Sequence, residues 1–101
     1  MFSLFRKTDA AEDFIWTDGN FKSVTHSEKT KELKIEYIDY TETEVTFNFK
    51  GVDDLEMNDP VYCLGSDHKL LKGKKRIELN DDEDVILSFI YETVEMKITK
   101  G

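Results

Sequence analysis

The sequence predicts a single, mainly β domain: an antiparallel β-sandwich or small barrel with at most one or two short helical turns. Apolar and charged side chains alternate with a period of two over several short segments, and turn-forming residues separate those segments. The chain has 101 residues, of which 39% are hydrophobic and 12% aromatic. That is enough for one modest core. We therefore treat residues 1–101 as one domain.

The clearest element is a hairpin formed by residues 33–37 and 45–49. In both segments apolar residues alternate with polar ones, and the segment between them, residues 39–44, is polar at its centre. This pattern is typical of two antiparallel strands that bury one face and expose the other.

A second pair of strands is expected near the C-terminus. Residues 85–91 are apolar on both faces, which favours a central strand buried from both sides. Residues 94–99 alternate Val94, Met96 and Ile98 with polar residues, and we expect this strand beside 85–91.

The N-terminal part gives weaker signals. Asp18-Gly19-Asn20 is a turn sequence between residues 14–16 and 21–24, which predicts an early hairpin. Residues 8–13 fit one helical turn capped by Thr8 or Asp9.

Between the two predicted strand pairs the pattern is irregular. Residues 61–64 and 76–79 are short strand candidates, and residues 51–59 read as a polar loop that ends at Pro60.

Charge is distributed unevenly along the chain. There are 22 acidic and 14 basic residues, for a net charge of −8. Residues 39–59 hold seven acids and one base, and residues 78–95 hold seven acids and no base. The five basic residues within 69–76 lie between these acidic stretches and are expected to pair with them.

The acidic stretches have two interpretations. They are either solvated loop faces that keep a small β protein soluble, or a surface that attracts and then pairs with a basic partner. Residues 53–57 favour the second interpretation, because Leu55 and Met57 offer apolar contact among the acids. The contiguous acids 81–84 require solvent and predict a turn between strands after Asn80. The candidate partner-binding residues are Asp53, Asp54, Glu56, Asp81, Asp82, Glu83 and Asp84, with Tyr40 as an anchor at a predicted turn.

Other function classes find little support in the sequence. An acidic chain is repelled by nucleic acid and by anionic membranes, and no apolar run is long enough to span a bilayer. The acidic segments lack the mid-loop glycine of an EF-hand. Cys63, His26 and His68 are too few for a predicted zinc site and fit a buried strand cysteine with two exposed loop histidines. We expect a non-enzymatic protein without cofactors. The single cysteine and the absence of a secretory signal pattern predict a cytoplasmic location.

The opening segment carries a resemblance to a known group of proteins. Met1, Phe2, Phe5 and Lys7 form a Met-Phe-x-x-Phe-x-Lys pattern. With the small size and acidic composition, this chain resembles the small immunity proteins of bacterial toxin–immunity systems, including contact-dependent inhibition. The resemblance implies tight binding to a nuclease-like toxin domain, with acidic groups covering its basic cleft.

The sequence thus predicts a protein-binding inhibitor, with two alternatives. One is a carrier that holds a small apolar ligand inside the sandwich or barrel. The other is a structural subunit of a larger assembly.

Overall fold

The computed structural model describes residues 9–82 and 84–100, which form one helical turn and nine strands. The helical turn α1 spans Ala10–Asp13. The strands are β1 (Gly19–Ser27), β2 (Glu32–Ile38), β3 (Glu44–Lys50), β4 (Asp53–Met57), β5 (Tyr62–Cys63), β6 (Gly65–Leu71), β7 (Lys74–Asp81), β8 (Asp84–Tyr91) and β9 (Thr93–Lys100).

These strands form two antiparallel sheets. One has the order β5-β1-β2-β3-β9 and the other the order β4-β8-β7-β6. Aromatic rings join the sheets: the ring of Phe49 on β3 lies 4.7 Å from that of Phe89 and 4.8 Å from that of Tyr91, both on β8. The predicted mainly β class with one short helical turn is confirmed.

The β2–β3 hairpin agrees with its prediction. Tyr37 pairs with Val45 and Leu33 with Phe49, so the alternating apolar residues of both strands share the inner face. Their side chains are fully or almost fully buried, which follows from the period-two pattern.

The C-terminal strands agree only in part. The predicted central strand is β8, which lies between β4 and β7. The expectation that residues 94–99 lie beside it is wrong, because β9 pairs with β3 in the other sheet, with Met96 opposite Phe47. Glu92 alone separates β8 from β9, and its backbone N–H donates to the carbonyl of Lys50 on β3. The chain therefore crosses from one sheet to the other at this bend.

The N-terminal region contains the predicted helical turn but lacks the predicted hairpin. Asp9 is the N-cap of α1 and forms a capping box with Glu12. Residues 14–16 are not a strand. Trp16 is 1% exposed, and its indole N–H donates to the carbonyl of Ala11 at 3.0 Å. The two large side chains Phe14 and Trp16 pack into the core, which holds this segment against the sandwich.

Two edge strands were not predicted. Residues 53–57 form β4 rather than a loop, and residues 65–71 form β6. Each pairs on one side only, so its charged side chains reach solvent, and an alternating apolar pattern is not needed there.

Candidate protein-interaction site

The predicted acidic residues lie at opposite ends of β8. Asp53 pairs with Ile90 near the end of this strand, whereas Asp84 is its first residue. Six residues separate the two positions, or about 20 Å along an extended strand. Glu56 lies between them, opposite Ser88, and Glu83 falls outside the described residues. The acids therefore form two clusters.

Part of the first cluster is compensated by basic residues. A carboxylate oxygen of Asp53 lies 3.4 Å from the ammonium of Lys31, and the other lies 3.7 Å from that of Lys74. The expected pairing of the basic run with the acidic segments is thus seen for Lys74, whereas Lys75 of the same run pairs with Asp9 and Glu12 near the N-terminus. Leu55, which the sequence offered as an exposed contact, instead packs against the core, while Met57 is 45% exposed.

The second cluster surrounds the turn that joins β7 to β8. Asp81 pairs with Asp84 across the strands, and Asp82 has a φ of 56° in the turn between them. Aspartate is among the residues that tolerate this left-handed conformation, which tight hairpins require. The turn follows Asn80, as predicted from the four consecutive acids.

The segment that leads into β6 places two exposed apolar side chains beside this turn. The backbone N–H of Leu64 donates to the carbonyl of Asn80, immediately before Asp81. The hydroxyl of Tyr62 on β5 donates to a carboxylate oxygen of Asp18 at 2.7 Å. Tyr62 is 36% and Leu64 38% exposed. We call the resulting surface the acidic end; its members are Asp18, Tyr62, Leu64, Asp81, Asp82 and Asp84.

The acidic end carries uncompensated negative charge. Among the described residues, none of its four carboxylates has a lysine, arginine or histidine nitrogen within 4.0 Å. The hydrogen bond to Asp18, with partial burial and the charges of Asp18 and Asp81, raises the pKa of Tyr62. The phenol therefore keeps its proton and remains a hydrogen-bond donor and an apolar contact.

The basic residues of the same sheet lie at its other end. Lys74 is the first residue of β7 and Asp81 is the last, which separates them by about 23 Å along the strand. Lys72 and Gly73 form the β6–β7 turn. The two turns of this sheet therefore differ: lysines lie at the β6–β7 turn, where Lys74 is paired with Asp53 and Glu92, and the acids at the β7–β8 turn have no basic partner among the described residues.

Sequence reasoning missed three members of the acidic end, namely Asp18, Tyr62 and Leu64. Asp18 is 44 residues from Tyr62 in the chain, and β5 was predicted only as a weak strand. The pairing of β1 with β5, Gly19 with Cys63 and Asn20 with Tyr62, brings the two segments together.

Tyr40 lies in the β2–β3 turn and is 57% exposed, as expected of an anchor at a turn. It lines a surface groove of about 430 Å³ together with Phe14, Ile15 and Met96. The β2–β3 turn lies at the same end of the sandwich as the acidic end, because Asn20 of β1 pairs with both Ile38 and Tyr62.

The cysteine and the histidines offer little chemistry. Cys63 is buried as predicted, and burial raises the pKa of its thiol, which disfavours the nucleophilic thiolate. The prediction of exposed loop histidines is wrong: His26 lies in β1 and His68 in β6, and both are partly buried. Within residues 9–82 and 84–100, no three His, Cys, Asp or Glu side chains converge as metal ligands would.

Comparisons with known proteins do not identify the chain. No family model matches it, and neither a curated protein nor a solved structure is significantly similar to it. None of the helices in the described residues has the length and hydrophobicity needed to cross a bilayer.

Proposed function

We propose that this chain is a protein-binding inhibitor, an immunity protein that neutralises a basic, nuclease-like toxin in the bacterial cytoplasm. The observation that carries the proposal is the acidic end, where Tyr62 and Leu64 lie exposed beside four carboxylates without basic partners among the described residues. The resemblance of the opening segment to immunity proteins suggests the class of partner.

Such a surface suits a partner that normally binds nucleic acid. Carboxylates attract a basic protein over long range and accelerate its association. On contact, Asp81, Asp82 and Asp84 would occupy positions on the toxin that otherwise receive phosphate groups. Tyr62 is suited to the centre of the contact, because tyrosine combines a large apolar ring with a hydroxyl donor and is enriched among energetically dominant interface residues.

The alternative of a small-ligand carrier requires space between the sheets. Aromatic rings occupy that region. The rings of Trp16 and Phe47 are stacked with their centroids 4.7 Å apart, and the ring of Phe49 contacts those of Phe89 and Tyr91. This packing favours a protein that acts through its surface over one that stores a ligand inside.

The experiment is capture from a lysate of the source organism, followed by an activity assay. The immobilised chain is exposed to lysate at low and at high salt, and the retained proteins are identified. We expect a stoichiometric, basic partner whose retention falls with salt. The purified partner should degrade nucleic acid, and one equivalent of this chain should stop that activity. Retention of no basic protein, or full nuclease activity in the complex, would contradict the proposal.

A further inference from the structure

The outer edge of the five-stranded sheet has no strand partner among the described residues, and α1 packs against β9 beside Met96. β9 pairs with β3 on one side only. No other backbone hydrogen bond from the described residues involves Thr93–Lys100. Two of its apolar side chains are exposed, Met96 at 39% and Ile98 at 62%. An exposed edge strand of eight residues is a template for pairing with another chain.

The other sheet edges are less suited to pairing. β5 has two residues, and β4 has five, with an irregular register and a positive φ of 53° at Asp54. β6 has seven residues, but antiparallel pairing with a second copy centred on His68 would set Ser66 against Leu70. β9 is thus the longest of the four edge strands, and its side chains alternate between apolar and charged residues most regularly.

The sequence of β9 is complementary to itself in one antiparallel register. With Met96 opposite Met96 of a second copy, Glu95 lies opposite Lys97 and Lys97 opposite Glu95. On the other face, Val94 lies opposite Ile98. Opposite charges and apolar pairs directly across two strands both stabilise a sheet. A shift of the register by one residue places Glu95 opposite Met96 and loses both kinds of pair.

We propose that two copies of this chain form a two-fold symmetric dimer through β9, with Met96 at the symmetry axis and one continuous ten-stranded sheet. A two-fold interface requires a self-complementary surface, which this register provides. In the single chain Glu95 forms an exposed ion pair with the ammonium of Lys50 at 3.8 Å. Such a pair is weak and competes little with the pairing of Glu95 and Lys97 across the dimer. The inference does not rest on the proposed function, because β9 contributes no residue to the acidic end.

The test is a charge exchange read by sedimentation velocity. The full chain is expected to sediment as a dimer. Glu95→Lys places lysine against Lys97, and Lys97→Glu places glutamate against Glu95, each at two symmetry-related positions. We expect each single variant to raise the dimer Kd by about tenfold or more. The double variant Glu95→Lys/Lys97→Glu restores opposite charges in the same register and should dimerise as the original chain does.

Two further variants keep the result decisive. Asp67→Lys on the β6 edge makes the same charge change as Glu95→Lys and should leave the dimer intact. Met96→Cys should form an intermolecular disulfide under mild oxidation, since residues directly opposite in adjacent strands lie about 4.5–5.5 Å apart. Cys63 is fully buried and does not compete. A monomer at every attainable concentration, no recovery in the double variant, or dissociation by Asp67→Lys would overturn the proposal.

Discussion

The ion pairs of Lys75 connect the N-terminal helical turn to the sandwich, and removal of the Lys75 charge is predicted to destabilise the domain. Its ammonium lies 2.8 Å from a carboxylate oxygen of Glu12 and 3.0 Å from one of Asp9, the N-cap of α1. The hydroxyl of Tyr91 donates to the same oxygen of Asp9 at 2.8 Å. The side chains of Lys75 and Asp9 are 21% and 20% exposed, and that of Glu12 is 7% exposed. We consider Lys75→Met, which keeps the aliphatic stem and removes the charge.

The expected loss is about 2 kcal/mol of the free energy of unfolding. A hydrogen bond to a charged group contributes about 1.5–3 kcal/mol, and Lys75 makes two of them. Because Lys75 and Asp9 are partly exposed, solvent screens both hydrogen bonds, and the methionine side chain retains part of the packing of the lysine stem. The expected loss is therefore smaller than the sum of two such bonds. For a domain of this size, 2 kcal/mol shifts the urea midpoint by about 1 M.

The assay is urea unfolding followed by the fluorescence of Trp16, the only tryptophan, which is buried and hydrogen-bonded to Ala11 of α1. The control is Lys74→Met. Lys74 is 44% exposed, and its nitrogen lies 3.7 and 3.9 Å from the carboxylates of Asp53 and Glu92. Exposed pairs of this kind contribute about 0–1 kcal/mol. Equal stability of the two variants would refute the structural role assigned to Lys75.

Three further predictions concern pH and close packing. Burial opposes the charge on Lys75, but its hydrogen bonds to Glu12 and Asp9 outweigh this effect, and the pKa of Lys75 is raised. The difference in the free energy of unfolding between the original chain and Lys75→Met should therefore be constant below the ordinary lysine pKa and should shrink as pH rises through the raised pKa. Urea titrations from neutral to alkaline pH measure this difference. Gly19→Ala should destabilise the domain by about 1–3 kcal/mol in the same titration, because a Cβ there would overlap the ring of Tyr37, which is buried. Partial desolvation opposes the charge on Asp39, but hydrogen bonds from the hydroxyl of Thr41 and from the backbone N–H groups of Thr43 and Thr41 outweigh it, and the pKa of Asp39 is lowered. Asp39→Ala should cost about 1 kcal/mol at neutral pH. Acid titration should show that cost decrease as pH falls through the lowered pKa.

The elements that the sequence predicted correctly are those in which period-two patterning determines burial. Residues 33–37 and 45–49 have one apolar face each, and a shift by one residue would expose that face, so both the hairpin and its register follow from the pattern. The central position of residues 85–91 follows in the same way from apolar residues on both faces.

The missed elements lie where local pattern does not decide the outcome. Edge strands β4 and β6 expose charged side chains, and their sequences look like loops. The partner of β9 depends on the direction of the bend at Glu92, and the alternation of residues 94–99 fits either sheet.

For the candidate site, the sequence predicted the acidic residues but not their positions relative to one another in the fold. The sequence located the acids and the turn at residues 81–84. It did not indicate that Asp53 lies about 20 Å from Asp84 along β8 and pairs with Lys31 and Lys74. Nor did it indicate that the hydroxyl of Tyr62 donates to Asp18. Both facts depend on strand pairing across long stretches of chain.

The most direct test of the proposed interaction compares two charge reversals of equal size at opposite ends of β8. One variant carries Asp81→Lys, Asp82→Lys and Asp84→Lys, and the other carries Asp53→Lys, Asp54→Lys and Glu56→Lys. Calorimetric titration of each against the captured basic partner gives its affinity. We predict that reversal of the acidic end weakens binding by at least a hundredfold and flattens its salt dependence, while the other variant stays within about tenfold of the original chain. Equal loss in both variants, or loss only in the second, would contradict the assignment of binding to the acidic end.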